Sequence, residues 1–136
     1  MNENQATVER FRSVIEGNDL GALAKTLMEL STDDFVQEWP QSGERIRREN
    51  AAKLLESYEG ATGNSPTFTS RRVLGEGNVF TIEGTIDYGD GIPVSYVGIV
   101  ELRDGKVAKS TEYFANPFEA PAWRADLVER MEPVAV

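Results

Sequence analysis

The stretch Phe35-Val36-Gln37-Glu38-Trp39-Pro40-Gln41-Ser42-Gly43 decides how this chain is read. Its aromatic and β-branched residues predict a short strand over Phe35 to Trp39, and Pro40 and Gly43 then force a loop. Near the other end, Glu112-Tyr113-Phe114-Ala115-Asn116-Pro117 repeats the theme: an acid and aromatics close a strand ahead of a proline. The sequence between and around these two stretches divides into a helical half and a β-rich half.

Val8, Phe11, Val14 and Ile15 recur at helical spacing and predict an amphipathic N-terminal helix. Gly17-Asn18-Asp19 ends it, with Asn18 or Asp19 placed to cap a second helix. Leu20, Leu23, Ala24, Leu27 and Leu30 make the second stripe, which Ser31-Thr32-Asp33-Asp34 breaks. The basic run Arg45-Ile46-Arg47-Arg48 reads either as a local basic patch or as the solvated start of a third helix. Ala51, Leu54, Leu55 and Tyr58 carry that helix to about Gly60.

After Gly63 the pattern changes. Four β runs follow: Thr67 to Leu74, Val79 to Tyr88, Val94 to Arg103 and Val107 to Phe114. They are separated by Gly75-Glu76-Gly77-Asn78, Gly89-Asp90-Gly91-Ile92-Pro93 and Asp104-Gly105. Asp-Gly between two strand runs marks a tight hairpin, so the second half predicts an antiparallel meander. Trp123, Leu127 and Met131 predict a closing C-terminal helix. Helices first and an antiparallel sheet second is the α+β pattern, in one domain over residues 1–136.

Composition narrows the chemistry. The net charge of −9 argues against nucleic acid and against an anionic membrane as partners. No apolar run is long enough to span a bilayer, and the start lacks the marks of a secretory signal, so a cytoplasmic location is expected. The chain has no Cys and no His. Thiolate nucleophiles, Ser-His triads, imidazole bases and the usual zinc sites are thereby removed. Acid–base work falls to carboxylates, Tyr, Lys or water. No ligand loop for calcium or magnesium stands out, and Gly75-Glu76-Gly77 lies between strands rather than at a helix start, so no phosphate cradle is expected.

Strand alternation sorts the faces. Thr81, Glu83, Thr85 and Asp87 share one face of their run, opposite Phe80, Ile82, Gly84, Ile86 and Tyr88. Val94, Tyr96, Gly98, Val100 and Leu102 lie together, as do Ser110, Glu112 and Phe114. Val36 and Glu38 oppose Phe35, Gln37 and Trp39. Two readings follow: the acids lie on a wet sheet face, or they converge in a pocket.

The Phe35–Gly43 and Glu112–Pro117 stretches, with the order of elements around them, resemble the nuclear transport factor 2-like superfamily, in particular its SnoaL-like polyketide cyclase branch. The resemblance covers nearly the whole chain. It implies a cone: a curved antiparallel sheet with N-terminal helices packed over a central pocket. The order of elements is also similar to the limonene epoxide hydrolases, whose reactive residues sit on the concave face. On that register Glu38, Thr85, Asp87 and Glu112 face the pocket, and Glu112 and Asp87 match the two hydrolase acids. Thr85 stands where the hydrolases have Arg, and Val36 and Glu38 where they have Tyr and Asn, which weighs against epoxide hydrolysis itself.

The resemblance therefore implies a cofactor-independent isomerase, dehydratase, cyclase or hydrolase without a metal. Glu38, Asp87 and Glu112 are the expected catalytic acids, with Glu112 and Glu38 as a pair and Asp87 or Glu83 as a third member. Clustering such groups in an apolar cavity would raise at least one pKa. Trp39, Glu83, Thr85, Tyr96, Ser110, Phe114 and Asn116 are the expected substrate contacts. Tyr96 is placed to stabilise an oxyanion, as a Tyr does in the related ketosteroid isomerases, or to serve as a core aromatic. The expected ligand is an apolar small molecule with a polar handle. The alternative is a non-catalytic binding module. Many members of this fold dimerise through the outer sheet face, so a homodimer through Val73, Val97, Ile99, Thr111 and Tyr113 is also expected.

Overall fold

The computed structural model describes residues 2–17, 20–62 and 66–132. The first half holds α1 (Glu3–Glu16), α2 (Leu20–Leu30), β1 (Ser31–Trp39), β2 (Glu44–Arg47) and α3 (Arg48–Thr62). The second half holds β3 (Thr67–Glu76), β4 (Val79–Asp87), β5 (Val94–Arg103) and β6 (Lys106–Ala115), then a 3-10 helix at Ala122–Leu127. The capping expected of Asn18 or Asp19, the break at Gly63 and the packing of Leu20, Leu55 and Tyr58 lie outside the described residues and side chains.

Local chemistry fixes how α1 sits on the sheet. Asn2 and Gln5 form a reciprocal capping box that satisfies the first free N–H groups of the helix. In the same first turn Asn4 Oδ1 accepts from the Gly105 N–H at 2.9 Å, and the Thr7 hydroxyl donates to the Gly105 carbonyl. The helix start is thus tied to the β5–β6 turn. That turn places Asp104 at φ 52° and Gly105 at φ 78°. Two consecutive left-handed residues match the twist of a two-residue hairpin, which is why Asp-Gly stands there.

The six strands form one curved, unclosed sheet in the order β2-β1-β6-β5-β4-β3. β3 to β6 make the expected antiparallel meander. The rest corrects the sequence reading. β1 lies parallel to β6, with Gln37 opposite Ser110 and Glu38 opposite Thr111. It begins at Ser31, so the polar run Ser31–Asp34 belongs to the strand. Ser31 is buried, and its hydroxyl accepts from Arg48 Nε at 3.0 Å. The same guanidinium donates to the Met28 carbonyl near the end of α2, at 2.8 Å.

The basic run is also a strand rather than a helix start. Gly43, at φ 75°, returns its N–H to the Trp39 carbonyl at 2.9 Å and folds the chain back on itself. Residues 44–47 then pair with β1, with Arg45 opposite Glu38, and α3 starts only at Arg48.

The three helices cover one face of the sheet. Phe11 and Ile15 of α1 and Ala51 of α3 meet Phe35, Phe80, Tyr96, Val100 and Val107 there. A bulge between Ser70 and Arg72 resets the alternation of β3, so Phe68 and Val73 both pack against this core. Val73 therefore does not belong to the outer face where an interface was expected. The C-terminal helix does not close the fold either. It is a 3-10 helix of only 6 residues, and Trp123, Leu127 and Met131 are 78%, 80% and 78% exposed.

Candidate active site

Between the helices and the inner sheet face lies an apolar cavity of about 160 Å³. α1 and α2 line it with Phe11, Ile15, Leu23 and Leu27, and the sheet lines it with aromatic and aliphatic side chains. The polar groups converge at one place. Glu112, 9% exposed, projects from β6 into the cavity. Its Oε1 accepts from Gln37 Nε2 and, at 3.0 Å, from Trp39 Nε1. Its Oε2 accepts from the Tyr96 hydroxyl. A buried acid in an apolar cavity needs donors of this kind, because a carboxylate stripped of water is costly unless hydrogen-bonded.

Each partner reaches Glu112 for a structural reason. Gln37 and Trp39 alternate with Val36 and Glu38 on β1, and the parallel pairing sets them beside β6. Tyr96 comes from β5, where Gly98 pairs directly with Glu112. The phenol lies along its own strand over Gly98. A Cβ at that glycine would overlap the Tyr96 hydroxyl and sit 3.0 Å from its Cζ. Gly84, which pairs with Tyr96 on β4, does the same for Phe68: a Cβ there would sit 2.8 Å from a Phe68 ring carbon. Phe68 stands edge-on to Tyr96 at 5.4 Å, and Trp39 stands edge-on to Phe114 at 5.6 Å. Two glycines in adjacent strands thus make a shelf on which the Tyr96 and Phe68 rings rest. Neither was singled out from the sequence. A lone Gly inside a strand pattern is nonetheless a known sign of close approach.

Of the expected site residues, Glu112, Tyr96, Trp39, Ser110 and Phe114 line the cavity together. Glu38 does not. It points to the outer face, where Lys109 Nζ lies 2.8 Å from Oε1 and Arg45 Nη2 lies 2.7 Å from Oε2. Lys109 first, then Arg45, hold its carboxyl below the ordinary range. The expected Glu112–Glu38 pair is therefore not formed. The alternation read from the sequence was right, but the face was inverted. Phe35, only 1% exposed, must face the helices, and that sends Glu38 outward.

The same logic moves the β4 acids. Glu83 is on the outer face, bonded to Arg72 Nε at 2.7 Å. Asp87 works in the β4–β5 turn, where Oδ1 accepts from the N–H groups of Gly89 and Gly91 at 2.8 and 3.1 Å. Thr85 is buried, but in a row with Thr69 and Ser95 that faces away from the cavity. Asn116 is exposed beyond the end of β6. Among the described residues no cluster of acids has metal-ligand geometry, and no helix is long and apolar enough to cross a membrane.

Tyr96 has the strongest electrostatic signature. Burial, then the adjacent Glu112 charge and the hydrogen bond to it, push its phenol well above the ordinary value. The neutral form is favoured on folding, so this contribution to stability is complete below the unfolded phenol pKa. It is lost as pH rises from there towards the folded one. In an alkaline NMR titration the Tyr96 ring carbon is expected to stay unmoved through the ordinary phenol range and to shift only as the protein unfolds. A Tyr96 resonance titrating like a free tyrosine would contradict the buried Glu112 contact.

A curved α+β sheet covered by helices on one face, with an apolar cavity between them and a few convergent polar groups, defines the class: a cone-shaped α+β fold built around a cavity. A model of the SnoaL-like domain matches residues 8–110, and the chain belongs to that family, within the nuclear transport factor 2-like proteins. A nuclear transport factor 2-like protein of unknown function from Burkholderia xenovorans is 34% identical, with 95% of this chain and 98% of that one covered and a TM-score of 0.74. A proposed ketosteroid isomerase from Kribbella flavida shares the fold at 24% identity, with 96% and 91% covered and a TM-score of 0.76. A proposed polyketide cyclase from Streptomyces antibioticus does so at 14% identity, with 82% and 91% covered and a TM-score of 0.60. No curated protein matches the chain.

Proposed function

We propose that the protein is a cofactor-independent acid–base enzyme acting on a small apolar molecule with a polar handle, and that Glu112 is its proton-transfer group. The observation that carries this reading is one carboxylate, held by three donors, at the polar end of an otherwise apolar cavity. Neighbours in fold that are proposed isomerases and cyclases agree with it. The cavity volume of about 160 Å³ is close to the roughly 150 Å³ that holds benzene in an engineered protein. The part of the substrate that enters is therefore about one ring in size.

The chemistry follows from the partners. Glu112 takes a proton from the carbon beside a substrate carbonyl. The C–H electron pair moves into the new double bond, and the carbonyl oxygen takes up negative charge. Tyr96, which keeps its proton at working pH, turns from Oε2 to that oxygen, while Gln37 and Trp39 keep hold of Oε1. Return of the proton to a different carbon is isomerisation. Attack of the enolate on a second carbonyl is cyclisation.

A second reading has its own support. Glu112 is already satisfied by its own neighbours, and no second carboxylate joins it in the cavity among the described residues. That arrangement suits a binding module in which Glu112 accepts from a ligand hydroxyl. The two readings separate with cyclohexanone in deuterium oxide, followed by NMR. Catalysed exchange of the α-protons that survives Glu38→Gln and vanishes in Glu112→Gln supports the enzyme. Shift changes at Trp39 and Tyr96 without exchange support the binding module.

A further inference from the structure

The cavity holds a hydroxyl that the fold does not use. Ser110, on β6, lines it and is only 8% exposed. Among the described residues its side chain has no hydrogen-bond partner. A hydroxyl taken out of water and left unbonded is costly, so this one is matched by a group from outside the chain.

The neighbours of Ser110 define that group. Ser110 pairs with Gln37 of β1 on one side and with Val100 of β5 on the other. Gln37 commits its Nε2 to Glu112. Its amide oxygen has no donor among the described residues, and such an oxygen only accepts. The Ser110 hydroxyl can donate. A hydroxyl on the substrate suits both, because it donates to Gln37 and accepts from Ser110. Charge narrows the choice further. Among the described residues that line the cavity, Glu112 is the only acid, and there is no Lys or Arg. A second anion beside that carboxylate would meet like charge in apolar surroundings with no cation to offset it. The group at Ser110 is therefore neutral.

Spacing sets where that group sits on the substrate. Ser110 and Glu112 are two residues apart on the same face of β6. Along a strand that is about 7 Å. A hydroxyl on the ring atom next to the carbonyl would stay beside Glu112. The ring atom opposite the carbonyl is the one that carries it along the strand to Ser110.

We propose that Ser110 binds a second oxygen of the substrate, and that the substrate is a neutral cyclic hydroxy ketone with its hydroxyl across the ring from the carbonyl. The placement of the carbonyl rests on Glu112 as the proton-transfer group; the free hydroxyl of Ser110 does not.

Exchange of α-protons in deuterium oxide, followed by NMR, tests this with cyclohexanone and 4-hydroxycyclohexanone. Relative to the uncatalysed rates, the unaltered chain is expected to favour the hydroxy ketone about 10-fold in kcat/KM, the size of one good hydrogen bond. In Ser110→Ala that preference is expected to disappear. The same variant is expected to melt no lower than the parent, because the hydroxyl has no partner in the fold to lose. A lower melting temperature would mean that the hydroxyl already serves the fold, and the proposal fails. Equal rates with the two ketones in the unaltered chain, or a preference that survives Ser110→Ala, also overturn it while the role of Glu112 stands. A 4-oxocyclohexanecarboxylate ion exchanged faster than cyclohexanone overturns the neutral class. If neither ketone exchanges, titration of the Trp39 and Tyr96 resonances with the same pair decides. Tighter binding of the hydroxy ketone that Ser110→Ala removes then supports the Ser110 contact while the proton-transfer reading falls, and equal binding removes both.

Discussion

Glu112→Gln is expected to lower turnover about 100- to 10,000-fold, the usual contribution of a positioned proton-transfer group. The fold is expected to survive. An amide oxygen in place of Oε1 still accepts from Gln37 and Trp39, and the Tyr96 hydroxyl can rotate to accept from the new amide N–H. Glu112→Leu is the informative contrast. It leaves three donors unsatisfied in an apolar cavity, at about 1–3 kcal/mol for each group that stays dry. Denaturant melts should therefore separate the two variants, with Gln close to the parent and Leu lower by about 3 kcal/mol or more. A Leu variant as stable as the parent would mean that water reaches these donors and that the site is wet. A Gln variant with full turnover would remove Glu112 from the chemistry.

Gly98→Ala is expected to have the next largest effect, although Gly98 does not line the cavity. Its Cβ would occupy the space of the Tyr96 hydroxyl. Overpacking of this kind costs about 1–3 kcal/mol, and the displaced phenol also gives up its bond to Glu112. The diagnostic measurement is a double-mutant cycle with Tyr96→Phe. Removing the hydroxyl removes the atom that the added methyl group meets most closely, so the two substitutions should be coupled by about 1 kcal/mol or more. Additive effects would mean that the ring shifts freely, and the shelf formed by Gly98 and Gly84 would then not position Tyr96.

How much of this was legible in the sequence depends on which interactions decide each element. The meander was legible because hairpin turns are local. Asp104-Gly105 needs only its own two left-handed residues to form. The faces of β5 and β6 were legible because Tyr96, Val100, Ser110 and Glu112 keep strict alternation. The orientation of β1 was not. Alternation names two faces, and only the depth at which Phe35 is buried says which of them meets the helices. β2 was hidden for a related reason: four residues rich in Arg make a strand only because β1 is there to pair with them. Val73 was misplaced by the bulge at Arg71, which no alternation rule anticipates. The C-terminal apolar positions were read as a helix packing inward, whereas their own chain offers them no cover.

The parallel pairing of β1 with β6 sets the order in which the site can come into being. Gln37 and Glu112 are separated by 75 positions along the chain, and the strands that carry them pair across the intervening helix and meander. Pairings of such long range are slow to close, because their loop entropy is spent before their contacts form. The hairpins of β3 to β6 can assemble from neighbours, and β1 is added to an existing edge. Trp39, whose indole bonds to Glu112 across that seam, is therefore an optical reporter of when the seam closes. Its fluorescence should lag behind the far-ultraviolet signal of the sheet.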